Sequence, residues 1–318
     1  MPTSHTATTS EAVISVRGLR RCYGPLVAVD GLDLDVHRGE VVALLGPNGA
    51  GKTTVVEILE GYRHRDSGQV QVLGADPAQA DRAWRSRIGI VLQEVGDLGL
   101  LTVAEAVTHF ARYYPHPADP EALIDLIGLT DRRRASAATL SGGQRRRLDV
   151  ALGLVGRPEL LFLDEPTTGL DPQARRQVWD MLAQLRAAGT TVVLTTHYLE
   201  EAEVLADRVG VIVNGRLVSL GPPAELAGRA SRAARVRWVD TDGHVHEEVT
   251  LSPTQRVVAL ATATGGEPVE LAELTVTRPT LEDVYLELVA ASSPAGDATS
   301  ARPDTYGPQP ASEAEGSA

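Results

Sequence analysis

A glycine-rich segment that ends in lysine and threonine is the part of this sequence best suited to holding phosphate. Gly46, Gly51, Lys52 and Thr53 fit the spacing G-x-x-x-x-G-K-[ST], after an apolar run that starts at Val41. The glycines let successive backbone N–H groups turn inward toward phosphate oxygens, and a helix that begins near Lys52 adds the positive end of its dipole. We expect Lys52 to reach the β- and γ-phosphates and the Thr53 hydroxyl to ligate Mg²⁺. The chain contains no other lysine. The predicted nucleotide contacts of this loop are Gly46, Pro47, Asn48, Gly49, Ala50, Gly51, Lys52, Thr53 and Thr54.

Two adjacent carboxylates after a second apolar run predict the machinery of phosphoryl transfer. Residues 160–163 read as a buried strand, and Asp164 and Glu165 stand at its carboxyl end. There Asp164 can hold Mg²⁺ through water, while Glu165 orients and polarises the attacking water. Adjacent acids next to a phosphate loop repel each other unless a cation lies between them, which argues against a merely polar strand end.

An amide and an imidazole follow two further apolar runs. Gln93 comes after residues 88–92, where it could lie near the γ-phosphate and the water of the metal, although a single glutamine there fits a solvated loop better. His197 follows residues 191–195; a lone histidine is more often structural, but at this strand end we interpret it as a donor to the γ-phosphate. The predicted catalytic residues are Lys52, Gln93, Glu165 and His197, and the predicted Mg²⁺ ligands are Thr53, Gln93 and Asp164.

A serine and two glycines at a predicted helix start indicate a second anion site. The segment LSGGQRRRLDV covers residues 140–150, and Ser141 is a good helix N-cap. Such an N-terminus favours a phosphate contact, but one chain could not easily wrap both sites around one nucleotide. We interpret residues 145–147, three arginines, as a solvated helix face. The residues of this predicted second site are Ser141, Gly142, Gly143 and Gln144.

The elements that must position these residues follow from the spacing of apolar side chains. Residues 11–45 alternate and predict antiparallel strands with one buried face. Tyr23 lies among them and could either stack on an adenine ring or pack in the core; the residues alone leave both open. Residues 94–140 have helical spacing and predict an all-helical insertion, part of a helical subdomain over about 94–150. Further predicted elements are strands at 68–74, 88–92, 160–163 and 191–195 and helices at 55–59 and 173–186.

The two ends of the chain differ in composition from its middle. Residues 231–290 predict a small accessory element with exposed strands and a short helix, in which Thr280 and Asp283 fit a capping pattern. Residues 291–318 are rich in Ser, Pro, Gly and Ala and predict a disordered tail, and residues 1–10 a disordered N-terminus.

Charge and cysteine usage exclude several classes of function. The formal net charge of −12 argues against sequence-independent nucleic-acid binding, which requires basic surface. Cys22 is the single cysteine and cannot form an intrachain disulfide, so we expect no disulfide partner and a reducing compartment. No apolar run approaches the roughly 18 to 20 residues that span a bilayer, and residues 1–10 lack the pattern of a signal peptide. We therefore expect any membrane role to come through a partner.

These motifs together resemble the ATP-binding subunit of an ABC transporter. The phosphate loop, Gln93, LSGGQ, LLFLDEP, Asp171 and His197 occur in that family's order and at its spacing, over roughly residues 11–226. The resemblance implies an α/β fold: a P-loop NTPase (RecA-like) core with an antiparallel β subdomain and an all-helical subdomain, within residues 11–230, plus a small C-terminal α+β accessory element.

The resemblance also implies partners and cofactors. ATP and Mg²⁺ bound by Lys52, Thr53 and Asp164 of one subunit would be closed by Ser141 and Gly143 of a second, in a head-to-tail homodimer or a pair with a related cassette. Asp171 would lie at the dimer seam, and Tyr23 matches the family's adenine-stacking aromatic. A membrane permease on a separate chain would receive the motion, so the subunit would sit peripherally on the cytoplasmic face of the cell membrane.

The last segment narrows the resemblance. TRPTLEDVYLELV is similar to the C-terminal ending of the multidrug and antibiotic (daunorubicin-resistance-type, ABC-2) export branch. The expected function is therefore export of a drug, antibiotic or other hydrophobic compound. A soluble ABC ATPase of repair or translation and an importer ATPase are the alternatives, although the former usually carries a long coiled-coil insertion or two cassettes in one chain.

Overall fold

The computed structural model describes residues 12–92, 98, 99, 101–240, 242–262 and 270–292. The predictions for residues 1–10, for Gln93 and for the chain beyond 292 lie outside these residues. The strands are β1 (Ala12–Tyr23), β2 (Leu26–His37), β3 (Val41–Leu45), β4 (Ser67–Val72), β5 (Ile88–Val91), β6 (Leu160–Asp164), β7 (Thr191–Thr196), β8 (Arg208–Val213), β9 (Arg216–Gly221), β10 (Ala234–Val239), β11 (Val245–Thr250) and β12 (Ala272–Thr277). The helices are α1 (Lys52–Leu59), α2 (Arg82–Arg85), α3 (Val103–Ala111), α4 (Pro120–Leu126), α5 (Gly142–Leu154), α6 (Pro172–Ala187), α7 (Leu199–Leu205), α8 (Pro253–Ala261) and α9 (Leu281–Ser292).

A six-stranded sheet in the order β5-β6-β7-β3-β8-β9 forms the centre. Its strands pair in parallel except β9, which runs antiparallel to β8. Residues of β3, β6 and β7 are buried on both faces, which explains their continuous apolar runs. Because the strands are parallel, the carboxyl ends of β3, β6 and β7 meet at one edge of the sheet, where ligands bind in open α/β sheets.

The two faces of this sheet pack against different partners. On one face Ala43 and Leu163 join a core with helices α3 to α7 and α9. On the other face Leu44 and Phe162 pack with α1 and with a second, antiparallel sheet of order β2-β1-β4. The predicted α/β architecture, with an antiparallel and a helical portion beside the core, is therefore confirmed.

The capping residues begin the helices that the spacing predicts. Asp119 accepts from the Glu121 backbone N–H at 3.1 Å and Pro120 occupies the first helical turn of α4. Ser141 and Gln144 form a reciprocal capping box at the start of α5. Thr280 and Asp283 form the predicted reciprocal pair before α9, with the Asp283 N–H donating to the Thr280 hydroxyl at 3.1 Å.

The C-terminal residues form a third sheet, of order β11-β10-β12. Helix α9 packs with its Leu281 and Val284 buried and with Tyr285 and Leu288 against the core of the central sheet. This helix continues to Ser292, whose carbonyl accepts from the Asn214 side chain at 3.0 Å. Residues 291 and 292, which the sequence analysis assigned to the tail, therefore belong to this helix.

Candidate functional site

The loop from Gly46 to Gly51 joins the end of β3 to the start of α1. A Cβ on Gly46 would lie 2.2 Å from the Ile212 carbonyl oxygen, and one on Gly51 would lie 2.2 Å from that of Ala28. Gly51 also has a φ of +101°, which L side chains rarely adopt. Neighbouring backbone thus lies so close to this tight turn that any side chain at these two positions would clash, and only glycine fits.

Lys52 is held across this turn. Its side chain is 6% exposed, and Nζ donates to the Gly46 carbonyl at 2.8 Å and to the Pro47 carbonyl at 3.1 Å. Burial lowers the pKa of Lys52, while the nearby carboxylates of Glu165 and Asp164 act in the opposite direction. The ammonium therefore lies within the field of both predicted catalytic acids. Thr53 is exposed at the helix start and Thr54 is half-buried.

Strand register brings Asp164 beside a threonine of the neighbouring strand. Asp164 on β6 pairs with Thr195 on β7, and the Thr195 hydroxyl donates to Asp164 Oδ1. The same hydroxyl accepts from the Glu165 backbone N–H at 3.1 Å. Thr195 therefore orients both acids at once, a role that the sequence analysis missed. The available signal was a hydroxyl at the last position of the adjacent predicted strand.

Glu165 has an unusual backbone and two side-chain partners. Its φ of +44° is rare for a residue other than glycine and marks local strain, which in folded proteins concentrates at functional sites. Glu165 Oε2 accepts from the Thr168 hydroxyl at 3.0 Å, and Oε1 lies 3.3 Å from His197 Nδ1. The structure thus brings together Lys52, Asp164, Glu165 and His197.

A buried carboxyl group accepts a hydrogen bond from the loop that follows Glu165. Glu201 on α7 has no exposed surface, and its Oε1 accepts from the Thr167 hydroxyl at 2.9 Å and from Trp179 Nε1 at 3.2 Å. Burial raises the pKa of Glu201. This contact joins α6 and α7 to the segment that carries the catalytic acids, and the sequence pattern gave no sign of it.

The predicted second anion site lies on the surface of the helical side. Ser141 and Gly142 are exposed, whereas Gly143 is buried against α6. A Cβ on Gly143 would lie only 2.5 Å from the Ala174 Cβ. Asp171 caps α6 by accepting from the Ala174 N–H at 2.9 Å and is itself exposed. The N-termini of α5 and α6 therefore lie side by side.

Tyr23 ends β1, is half-buried and has two guanidinium groups close to its ring. The Arg21 and Arg63 guanidinium carbons lie 4.9 and 5.5 Å from its ring centre. Arg63 is in turn paired with Glu57 on α1, the helix that begins at the phosphate loop. Tyr23 is therefore a partly exposed ring near the surface rather than a fully buried core aromatic.

One prediction about α5 is wrong. The arginines at 145–147 are not a solvated face: Arg146 is 7% exposed, and its neighbours Arg145 and Arg147 are half-buried. Arg146 donates to the carbonyl oxygens of Asp164, at 2.7 Å, and of Pro166, at 2.8 Å. The side chain therefore packs against the main chain of the acidic segment, which local helical spacing could not reveal.

The donor set suits a nucleotide with its metal. A tight turn with a buried ammonium fits a triphosphate, while the Thr53 hydroxyl and the Asp164 carboxylate are the hard oxygen ligands that Mg²⁺ takes. Glu165 and His197, in contact at the strand ends, can place a water and a proton donor beside a terminal phosphate. The described residues contain no helix long and apolar enough to cross a membrane.

Comparisons with known proteins agree with this geometry. A model of the ABC transporter family matches residues 29–168. The chain is 37% identical over 305 residues to the daunorubicin resistance ATP-binding protein DrrA3 of Streptomyces coeruleorubidus, covering 88% of this chain and 96% of the relative. It is 46% identical over 223 residues to Nod factor export ATP-binding protein I of Ralstonia nicotianae, covering 68% of this chain and 69% of the relative. The dimeric structure of a bacterial ABC transporter cassette superposes with a TM-score of 0.58 at 23% identity, over 66% of this chain and 98% of that chain, a likeness of fold alone.

Proposed function

The chain belongs to the ATP-binding subunits of ABC transporters, and we propose that two copies close head to tail around ATP to drive export through a separate permease. Subunits of this family are ATPases that pair with membrane permeases and dimerise. The relatives with the longest matches are drug-resistance and Nod factor export ATPases, so this subunit is of the export type. The observation that carries the head-to-tail arrangement is the exposed start of α5, a phosphate-binding N-terminus separate from the loop that begins α1.

We assign the nucleotide contacts within one subunit as follows. Lys52 binds the β- and γ-phosphates, and Thr53 and Asp164 hold Mg²⁺, which would neutralise charge on the transferring phosphate. Glu165 orients the attacking water, and His197, 3.3 Å from its carboxylate, donates to the γ-phosphate. Tyr23 stacks on the adenine ring, and Gln93, the residue after Leu92, would contact a water held by Mg²⁺.

The second subunit supplies what the first lacks. Ser141 and Gly143, at the start of α5, close the γ-phosphate site of the partner copy, and Asp171 lies at the seam because its helix start is packed beside that of α5. ATP then joins the two copies, and its hydrolysis releases them. The partner is an identical chain or a related cassette.

A groove that Leu92 helps to line is the surface that we assign to the permease. It has a volume of about 540 Å³ and lies between the end of α1, strand β5, α3 and α5. Ile90 on β5 and Leu92 just after it line the groove and are 38% and 53% exposed, which is high for large apolar side chains so close together. An apolar permease segment bound in this groove would contact Leu92, the residue before Gln93. Closure of the nucleotide site could then move that permease segment. The subunit would then sit peripherally on the membrane's cytoplasmic face.

We propose a drug, antibiotic or other hydrophobic compound as the cargo, because the relative that matches 88% of the chain is named for daunorubicin resistance. The permease would select this cargo, since the residues assigned in this subunit bind the nucleotide and not the transported compound.

Two measurements test the proposal together. Lys52→Ala should abolish detectable ATP hydrolysis and weaken ATP binding, because it removes the buried ammonium from the turn. Lys52→Arg is the matched control: it keeps the charge but presents a planar fork, and we expect it to bind ATP better than Lys52→Ala without full turnover. The protein should appear in the membrane fraction only when an adjacently encoded permease is co-expressed. Substantial turnover by Lys52→Ala, or permease-independent membrane recovery, would contradict the assignment.

A further inference from the structure

A single buried guanidinium touches the main chain of two segments that the catalytic proposal uses. Arg146 lies on α5, and its Nε donates to the Pro166 carbonyl at 2.8 Å while one terminal nitrogen donates to the Asp164 carbonyl at 2.7 Å. The other terminal nitrogen donates to the carbonyl of Leu92. All three bonds therefore end on backbone oxygens at the carboxyl ends of β6 and β5.

These carbonyls bracket the residues that would do the chemistry. Asp164 and Pro166 are the neighbours of Glu165 on either side, and Leu92 directly precedes Gln93. A planar guanidinium with fixed donor directions defines the relative position of its acceptors better than any flexible ammonium could. The Glu165 backbone is strained, with a φ of +44°, so it requires such external support.

The next arginine on the helix makes the same kind of contact elsewhere. Arg147 donates to the Ile127 carbonyl at 2.7 Å and approaches that of Gly128 at 3.4 Å, both at the end of α4. It therefore fastens α5 to the helical portion, whereas Arg146 fastens α5 to the central sheet. The two side chains form a natural pair for separating catalytic positioning from general stability.

We propose that Arg146 is a positioning residue that fixes Glu165 and Leu92 relative to the helix begun by Ser141. This inference rests on the proposed function, in which Ser141 serves the partner's nucleotide and Glu165 serves its own. Arg146 then connects the two nucleotide sites through one chain. Movement of α5 when Ser141 engages the partner's phosphate is passed directly to the main chain on both sides of Glu165.

Steady-state ATPase assays and ATP-binding titrations of Arg146→Met and Arg147→Met test this. For Arg146→Met we expect kcat to fall by about 10- to 100-fold, since a misplacement of about 1 Å at a reacting group has this effect. The Kd for ATP should stay within about threefold of wild type, because the phosphate loop is untouched. Arg147→Met should keep kcat within about twofold, although its thermal stability falls. Hydrogen exchange should increase around residues 164–168 in the first variant and around 127–129 in the second.

A conservative pair keeps the test decisive if a methionine variant does not fold. Arg146→Lys should recover part of kcat, because it keeps a cation without the planar fork, while Arg147→Lys should resemble wild type. Equal kcat values for the Arg146 and Arg147 variants would overturn the inference, as would a parallel loss of ATP affinity and kcat in Arg146→Lys. A wild-type chain without ATPase activity would instead refute the proposed function.

Discussion

Replacing Glu60 with glutamine should make the stability of the fold less sensitive to pH. Glu60 ends α1 and is 7% exposed. Burial raises the pKa of its carboxyl from 4.5 to about 8, and the negative charges of Asp164 and Glu57 add to the effect. The folded chain therefore keeps a proton on Glu60 at pH values where the unfolded chain releases it.

The size of the effect follows from this difference in proton binding. Between pH 4.5 and about 8 the native state binds one more proton than the unfolded state, so the free energy of unfolding falls as pH rises. The slope is about 1.4 kcal/mol per pH unit, and two units from pH 5.5 to 7.5 correspond to about 3 kcal/mol. The stabilisation is complete below the unfolded pKa and is lost as pH rises through the folded one. A glutamine of the same shape carries no such proton.

Urea unfolding of wild type and Glu60→Gln at pH 5.5 and 7.5 measures this directly. Relative to Glu60→Gln, wild type should lose about 3 kcal/mol of unfolding free energy between the two values. Asp283→Asn is the control, because the Thr280 bonds lower the pKa of Asp283 from 3.8, so neither state gains a proton in this range. A wild-type to Glu60→Gln difference that does not change with pH would refute the reasoning.

Three further changes follow from contacts at the site and at the chain end. Gly143→Ala should reduce ATPase activity because its Cβ would meet the Ala174 Cβ at 2.5 Å, and Gly143→Ala with Ala174→Gly should restore part of it; no rescue in the double variant would contradict the contact. Thr195→Val should lower kcat by about 10-fold or more with little change in ATP affinity, since the hydroxyl orients Asp164 and the Glu165 N–H; an unchanged kcat would exclude that role. Deleting residues 293–318 should leave thermal stability and ATPase activity intact, whereas a large loss of stability would show that the tail packs on the body.

Local spacing was enough to predict the elements that carry the motifs. Three of these elements depend only on residues close together in the sequence: the turn before Lys52, the buried strand before Asp164 and the helix cap at Ser141. Each pattern indicates one type of secondary structure. Strands β8 and β9 and helices α7 and α8 were not predicted. The segments of α7 and α8 mix apolar residues with charged or polar ones, so these helices depend on packing, α7 beside β3 and β7 of the central sheet and α8 beside β10 of the third sheet. Strand β8 is a nearly continuous apolar run that the pattern used for β3 and β6 could have predicted.

The contacts between catalytic residues that are distant in sequence could not be predicted from local patterns. The pairing of Asp164 with Thr195 depends on the register of two strands that are distant in sequence. Arg146 was predicted to lie on a solvated face because charged side chains are mostly exposed, yet Arg146 is buried once the strand ends and helices meet, as is Glu60. The helical pattern places Arg146 on a turn of α5, but it does not show that carbonyl oxygens of another element lie opposite.

The central claim is that two copies hold ATP between them, each supplying groups that the other lacks. Glu165→Gln removes the base that activates water while keeping the phosphate contacts, so ATP should accumulate in the closed state. Sedimentation at saturating Mg-ATP should then give a dimer of Glu165→Gln, and a monomer when Ser141→Arg is added, with ATP bound in both cases. A Glu165→Gln chain that binds ATP but remains a monomer, or a dimer indifferent to Ser141→Arg, would contradict the head-to-tail arrangement.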